Sequence, residues 1–477
     1  MRPAGAAGQS PSRMLASYAS GLSFADISEA AIARMKLCLL DAVACGVYGA
    51  TLPWGQILSD YVLEQGGVRR ATVWGRGEKV PASLAGLVNG TLIHGFELDD
   101  LHKASILHPS SVAIPAALSL AESGGGASGR EFLTACVAGF EVGARVGMSV
   151  GTSHLVRGFH PTGTNGTVAA AAAAGRMLTL DEAAMENAIS IAATQAAGLM
   201  SAQFESMVKR MHAGRAAQAG IYGAELAARG FTGICEVFEQ GYGGYCSTLS
   251  DAPEPALLTR GLGETFETEK VGFKVYSCCG SCHTSVEAAK RLVARHGIHA
   301  DEIERVVVSM TRATLLHVGW PYVPQSVTTA QMNLPYCLAV TLIDGDAFVE
   351  QFSPSRIVAE DVIELAGRVE SRHEESFDAL GPQGRHKVRI RVKMKYGDHF
   401  EETVEHAKGS DRDPLSHDEV VAKFFRLVVP VRGRTWAEDA HRLIMSFENC
   451  PSTMRLSELL ADRVSSKTLS KEETAHV

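Results

Sequence analysis

A mainly α protein carrying a smaller α+β unit is what this 477-residue sequence predicts, and three observations carry that reading. Apolar residues recur at helical spacing through about the first 260 residues. No strand–helix alternation interrupts them, which argues against a dinucleotide-binding sheet in this half. Near Phe266 the character changes: the β-branched ERVVVSMTR (304–312) and the alternating HKVRIRVKMKYGDHFEETV (386–404) read as strands.

Taken in order, Ser28 N-caps a helix whose apolar face holds Ile32, Met35, Leu39 and Val43. Asp41 sits in the apolar half of that helix, where an acid needs a partner, and a structural bond to a neighbouring helix is expected. Pro81 opens PASLAGLVNGTLIHG, rich in small residues, and SVAIPAALSLAES follows the charged stretch 94–109 as another helix. Gly124-Gly125-Gly126 ends it, and Ser128 restarts a further helix; without a following Gly-Lys-Ser/Thr, the glycines are not a phosphate loop. A polar turn at 158–164 gives way to an alanine-rich helix, and helices continue over 182–200 and 214–229. Beyond 266, helices are expected at 285–295, 332–343 and 359–369, with Tyr396-Gly397-Asp398 turning a hairpin. Ser416 and Glu419 form a capping-box pattern before a last helical region. The expected divisions are an extension at 1–14, helical stretches at 15–268 and 406–462, an α+β unit at 269–405, and a loose tail at 463–477. Periodicity leaves open whether the C-terminal helices rejoin the first part or stand alone.

Hydrophobic residues make up 46% and charged residues 21%, the balance of a globular protein. The net charge of −8 argues against a nucleic-acid binder, which needs a basic face. No apolar run reaches the roughly 18 residues that cross a membrane, and MRPAGAAGQSPSR lacks the apolar core of a secretory signal. A cytoplasmic protein with reduced thiols, contacting neither nucleic acid nor membrane, is expected.

Chemistry concentrates at His94–Pro109, HGFELDDLHKASILHP, where Glu97, Asp99 and Asp100 sit among His94, His102, Lys103 and His108. Such a stretch is either a solvated helix end or an active-site wall in which carboxylates and imidazoles divide acid and base roles. Four further places set cations beside helix starts or glycine turns: His160, the pair Lys209 and His212 three residues apart, Lys274, and His283. Partly desolvated cations suit a small anionic substrate, and burial lowers a lysine pKa towards a useful range. Cys279-x-x-Cys282-His283 fits haem-attachment spacing, and Cys279 and Cys282 with a remote Cys235 would suit an iron–sulfur cluster, but small reduced thiols filling a turn, Cys278 among them, are the favoured reading. Zinc is disfavoured because no second ligand pair lies at finger-like spacing.

Four long motifs in register, HGFELDDLHKASILHPS, GFHPTGTNGTVAAAAAAGRMLTLD, VKRMHAGRAAQAGIYGAELAARGFTG and FKVYSCCGSCHTSVEA, resemble the MmgE/PrpD family, which includes 2-methylcitrate dehydratase and cis-aconitate decarboxylase. NLPYCLAVTLIDGD and the SDRDPLS helix entry extend the resemblance over about residues 15–460. It implies a large all-helical domain built from both chain ends, an inserted α+β lid, a homodimer, and a cleft that uses no metal or organic cofactor. It places Glu97, Asp100, His108, His160, Lys209, Lys274 and His283 in that cleft. Two departures stand out: Glu97-Leu98-Asp99-Asp100-Leu101 replaces the Asp-x-Asp-Asp-Thr of many relatives, and 100–108 is one residue longer than in the decarboxylase branch.

On this reading Lys209, Lys274 and His283 clamp substrate carboxylates and stabilise a carbanion. His108 and His160 move protons, Asp100 or Glu97 orients a histidine or meets a substrate hydroxyl, and Asp99 and His212 assist binding. The expected activity is a hydro-lyase acting on a di- or tricarboxylate. A decarboxylase and a polycarboxylate isomerase or epimerase use the same inventory; a non-catalytic anion binder has little use for the acids.

Overall fold

The computed structural model describes residues 9–464, apart from the side chains of 382 and 383; it is 60% helical and 8% strand. Helix α1 (Pro11–Gly21) starts at Ser10, whose side chain accepts from Arg13 N. The expected extension at 1–14 is therefore already helical from Pro11, while residues 1–8, like 465–477 of the expected tail, lie outside the described residues. Ser28 caps α2 (Glu29–Gly49), its hydroxyl accepting from Ala31 N at 3.0 Å. After α3 (Pro53–Gln65), a two-residue ribbon, β1 (Ala71–Thr72) against β2 (Lys79–Val80), leads into α4 (Ala82–Ile93). Next come α5 (Ser110–Ser123), α6 (Gly129–Val156), α7 (Pro161–Met177), α8 (Glu182–Ala193) and α9 (Val208–Ala227).

Helix α7 lies at the centre, buried from Pro161 to Gly175 and packed against α5, α6, α8 and α9. Its run of alanines is what permits that crowding, because short side chains let helix backbones approach. The limit is visible at Gly220 of α9, where a Cβ would sit 2.5 Å from the α7 backbone at Ala170.

The second sheet has the order β4-β3-β5-β6, with β3 (Ile303–Met310), β4 (Val369–His373), β5 (Val388–Met394) and β6 (His399–Val404). Val388, Ile390, Val392 and Met394 form the buried face of the expected hairpin, and the helix His283–His296 packs on β5 and β6. The helix expected at 359–369 stops at Ala366, and the chain from Val369 pairs parallel with β3. VESRH hides this strand because it is an edge with no fully buried residue, and so carries no apolar alternation.

The helix His417–Arg432, started by the Ser416/Glu419 capping box, packs on α2. It brings Lys423 to 2.6 Å from Asp41 Oδ1, and the same ammonium donates to Leu98 O at 2.5 Å. Asp41 thus has the structural partner its position requires, and the pair also holds the backbone of the 94–109 stretch. Replacing Lys423 by Met leaves a buried charge without a counter-ion, so a loss of about 3–5 kcal/mol is expected in urea unfolding. The double variant Asp41→Asn, Lys423→Met should recover part of that loss.

Candidate active site

Helix α4 ends at His94, and the chain folds back on itself: His102 N donates to Leu107 O at 2.8 Å and Leu107 N to His102 O at 3.3 Å. Leu101 and Gly272 exchange backbone hydrogen bonds of 2.9 and 3.0 Å, joining this segment to the start of the α+β part. Glu97 takes φ +55°, a left-handed conformation costing a residue with a Cβ roughly 1–2 kcal/mol. Its ion pairs show what holds it there.

The Glu97 carboxylate is buried and meets three cations. Lys209 Nζ and Arg210 Nη1 (2.6 Å) bond to Oε1, and Lys274 Nζ (2.8 Å) bonds to Oε2. Burial alone would raise its pKa, but Lys209, Lys274 and Arg210 hold it well below the usual carboxylate range. The lysines are driven apart. Burial lowers Lys209 despite Glu97, whereas at Lys274 the attraction of Glu97 and Asp99 overcomes burial and raises it. Lys209 is the readier of the two to release a proton.

Glu97, Lys209 and Lys274 line a cavity together with His108 and His160. Behind the imidazoles lies Asp99, fully buried, with His94 Nδ1 at 2.9 Å and His108 Nδ1 at 3.3 Å from the same oxygen. Burial would raise the Asp99 pKa, but His108 and His94 hold it far down, so it is ionised. Burial pushes His94 down to about 4 against the pull of Asp99. His160, N-cap of α7, shares a proton between its Nδ1 and His212 Nδ1 at 3.0 Å. Burial and then Lys209 drive His160 well below 6.5, keeping it neutral.

Four expected site residues, Asp99, Asp100, His212 and His283, lie outside the lining of this cavity. Asp100 does not reach the cavity: its carboxyl shares hydrogen bonds with Ser110 N (3.2 Å) and Ser110 Oγ (2.7 Å) at the start of α5. Burial, with the Asp99 charge beside it, pushes its pKa well up, so it is protonated. Asp99 supports His94 and His108 from behind, and His212 likewise backs His160. His283 lines an adjoining cavity with Lys103 and Lys408, its Nε2 donating to Cys278 O at 3.3 Å.

Arg210, His317, Arg385 and His386 belong to the site and were not singled out from the sequence, and His94 and Cys279, named there without a catalytic role, join them. Arg210, adjacent to Lys209 in the motif, carried a usable signal; the pocket residues at 317, 385 and 386 carried none. Cys279 and Cys282 are buried while Cys235 is exposed, so the cluster of Cys279, Cys282 and Cys235 is not assembled. Among the described residues, His94, Asp99 and His108 are the donors close enough to share an ion, within 4.8 Å of one another.

Two outcomes follow from this geometry. Asp99→Asn should lower kcat by a factor on the order of 100 or more by loosening His108, while Asp100→Asn, replacing a protonated carboxyl by its near-isostere, should stay within a few-fold; steady-state kinetics checks both. His94, His154 and His212 are each lowered from 6.5 to about 4, with burial the main cause. The unfolded chain therefore binds protons first as pH falls, so stability is full above 6.5 and is lost between 6.5 and about 4. Below 4.5, Glu97, held low in the native state, adds to the loss. Urea midpoints measured across this range should fall accordingly.

Comparison with known proteins identifies the chain's relatives. The MmgE/PrpD N-terminal domain matches residues 13–257 and the MmgE/PrpD C-terminal domain matches 276–448. The chain is 33% identical over 467 residues to the cis-aconitate decarboxylase-like protein oryM of Aspergillus oryzae, covering 94% of this chain and 96% of that protein. It is 33% identical over 465 residues to a cis-aconitate decarboxylase of Aspergillus terreus (93% and 94% covered) and 28% identical over 457 residues to that of Homo sapiens (92% and 92%). With both domains matched in order along almost its whole length, the protein belongs to the MmgE/PrpD family.

Proposed function

We propose that the protein is a carbon–carbon lyase that decarboxylates a small unsaturated tricarboxylate of the cis-aconitate kind. The observation that carries this reading is the cavity wall, in which Lys209 and Lys274, with Arg210 behind them, surround a single carboxylate, Glu97, and the imidazoles of His108, His160, His317 and His386 and the Arg385 guanidinium complete the charged and titratable lining. The surplus positive charge attracts substrate carboxylates and stabilises the electron pair left on carbon when carbon dioxide departs. His108, backed by the ionised Asp99, is suited to carry a proton to that carbon; His160, kept neutral, is suited to accept or to orient. Divided protonation states of this kind assign acid and base.

The hydro-lyase expected from the sequence has less support. It has a hydroxyl to hold and expel, and Asp100, one of the two acids expected to orient a histidine or meet a substrate hydroxyl, is turned to Ser110. The relatives named above also carry the decarboxylase name.

Incubation of the wild-type protein with cis-aconitate should yield carbon dioxide and an unsaturated dicarboxylate by mass spectrometry. Loss or gain of water without carbon dioxide would overturn the reading in favour of a hydro-lyase. Lys274→Ala and His160→Ala should each lower kcat by a factor on the order of 100 or more, with thermal unfolding still cooperative.

A further inference from the structure

Of the buried lysine and arginine side chains among the described residues, Arg145 meets Glu141, Lys209, Arg210 and Lys274 meet Glu97, and Lys423 meets Asp41. The exception is Arg385. Its residue is 9% exposed, it lines the same cavity as Lys209 and Lys274, and no carboxylate lies within ion-pair distance of it among the described residues. Burying a guanidinium without a counter-ion is costly, and proteins seldom do so except where a ligand supplies the missing charge.

The side chain is also held in place. Its backbone carbonyl accepts from Thr311 Oγ1 at 2.8 Å and Thr314 Oγ1 at 2.7 Å. Its Nε donates to His386 Nε2 at 3.0 Å. Burial, followed by the charge of Arg385 itself, holds His386 well below 6.5, so the ring is a neutral acceptor. With Nε engaged, the two terminal nitrogens remain as a planar pair of donors, the geometry that matches a carboxylate. Lys103, lowered by burial and then by Arg385, has no acid partner either among the described residues and adds positive charge at the boundary with the adjoining cavity.

We propose that Arg385 is the specificity-determining anchor for a substrate carboxylate other than the one that leaves, which selects tricarboxylates over shorter acids. The assignment rests on the decarboxylase reading for which carboxylate reacts, but anion binding at Arg385 does not depend on that chemistry. Lys209, Lys274 and Arg210 are tied to Glu97 and serve the reacting carboxylate through their surplus charge, so Arg385 adds a guanidinium whose terminal nitrogens are engaged by no carboxylate among the described residues.

Two measurements test it. Calorimetric titration with tricarballylate, a saturated tricarboxylate that cannot react in the same way, should show binding to wild type that weakens about 10- to 100-fold in Arg385→Gln. Arg385→Lys should lie between, since an ammonium keeps the charge but not the fork. With cis-aconitate, Arg385→Gln should raise KM by a similar factor while kcat changes by only a few-fold, as expected for a contact equally strong in ground and transition states. Wild-type-like tricarballylate binding and KM in Arg385→Gln would overturn the assignment, as would absence of tricarballylate binding in the wild type. Arg385-dependent binding without carbon dioxide release would instead uphold the anchor and sink the decarboxylase reading. Should Arg385→Gln fail to fold, Arg385→Lys decides: binding and KM unchanged from wild type would count against the fork.

Discussion

The ion cluster at Glu97 is the constraint on which the rest of the site depends. Three buried cations face one another across a few ångströms, and only a carboxylate placed among them makes that tolerable. Lys209 and Arg210 come from α9, Lys274 from the start of the α+β part, and Glu97 from the loop after α4. Arg210 extends the network to Gln331 (2.5 Å), whose amide nitrogen donates to Phe96 O (3.0 Å) and Ser277 O (2.9 Å). The backbone carrying Glu97 is therefore fixed from both sides, which is how a side chain with a Cβ is kept at a positive φ. Glu97 acts as a counter-ion that sets the field.

Around that field, closely spaced groups are held in different protonation states. Asp99 is ionised while Asp100, the next residue, is protonated. The difference is partnership: Asp99 has two imidazoles beside it, whereas Asp100 has Ser110 hydroxyl and amide groups and a like charge nearby. Helix α7 contributes to the same end. Its small residues let α9 come close, which sets His160 against His212 at one end of the pair of helices, and burial, followed by the nearby Lys209 charge, keeps both rings uncharged.

Much of this was legible in the sequence, and what was missed has physical causes. Caps at Ser28, Ser128 and Ser416 give local hydrogen bonds whose signature is local, so those helix starts were readable. The alternation in β5 was readable because one face is buried; β4 was not, because it is an exposed edge. Within the 94–109 stretch, density of charge marked the site, but the choice between Asp99 and Asp100 could not be made, since neighbouring side chains in an irregular turn diverge without periodicity. Arg385 and His317 reach the cavity from segments more than a hundred residues beyond Lys209 with no motif around them, and only tertiary folding brings them together.

The bridge at Lys423 has a consequence for the order in which the protein becomes functional. Its ammonium joins Asp41 on α2 to the Leu98 carbonyl across 325 residues of chain. During synthesis from the N-terminus, the helices and the charged loop emerge long before the residue that locks them. Until the C-terminal helix arrives, Asp41 remains an acid without a counter-ion in an apolar setting, and the loop carrying Glu97 lacks one of its tethers. Completion of the catalytic wall is thus tied to completion of the chain, so a truncated product lacking that helix presents the right residues without the means to hold them.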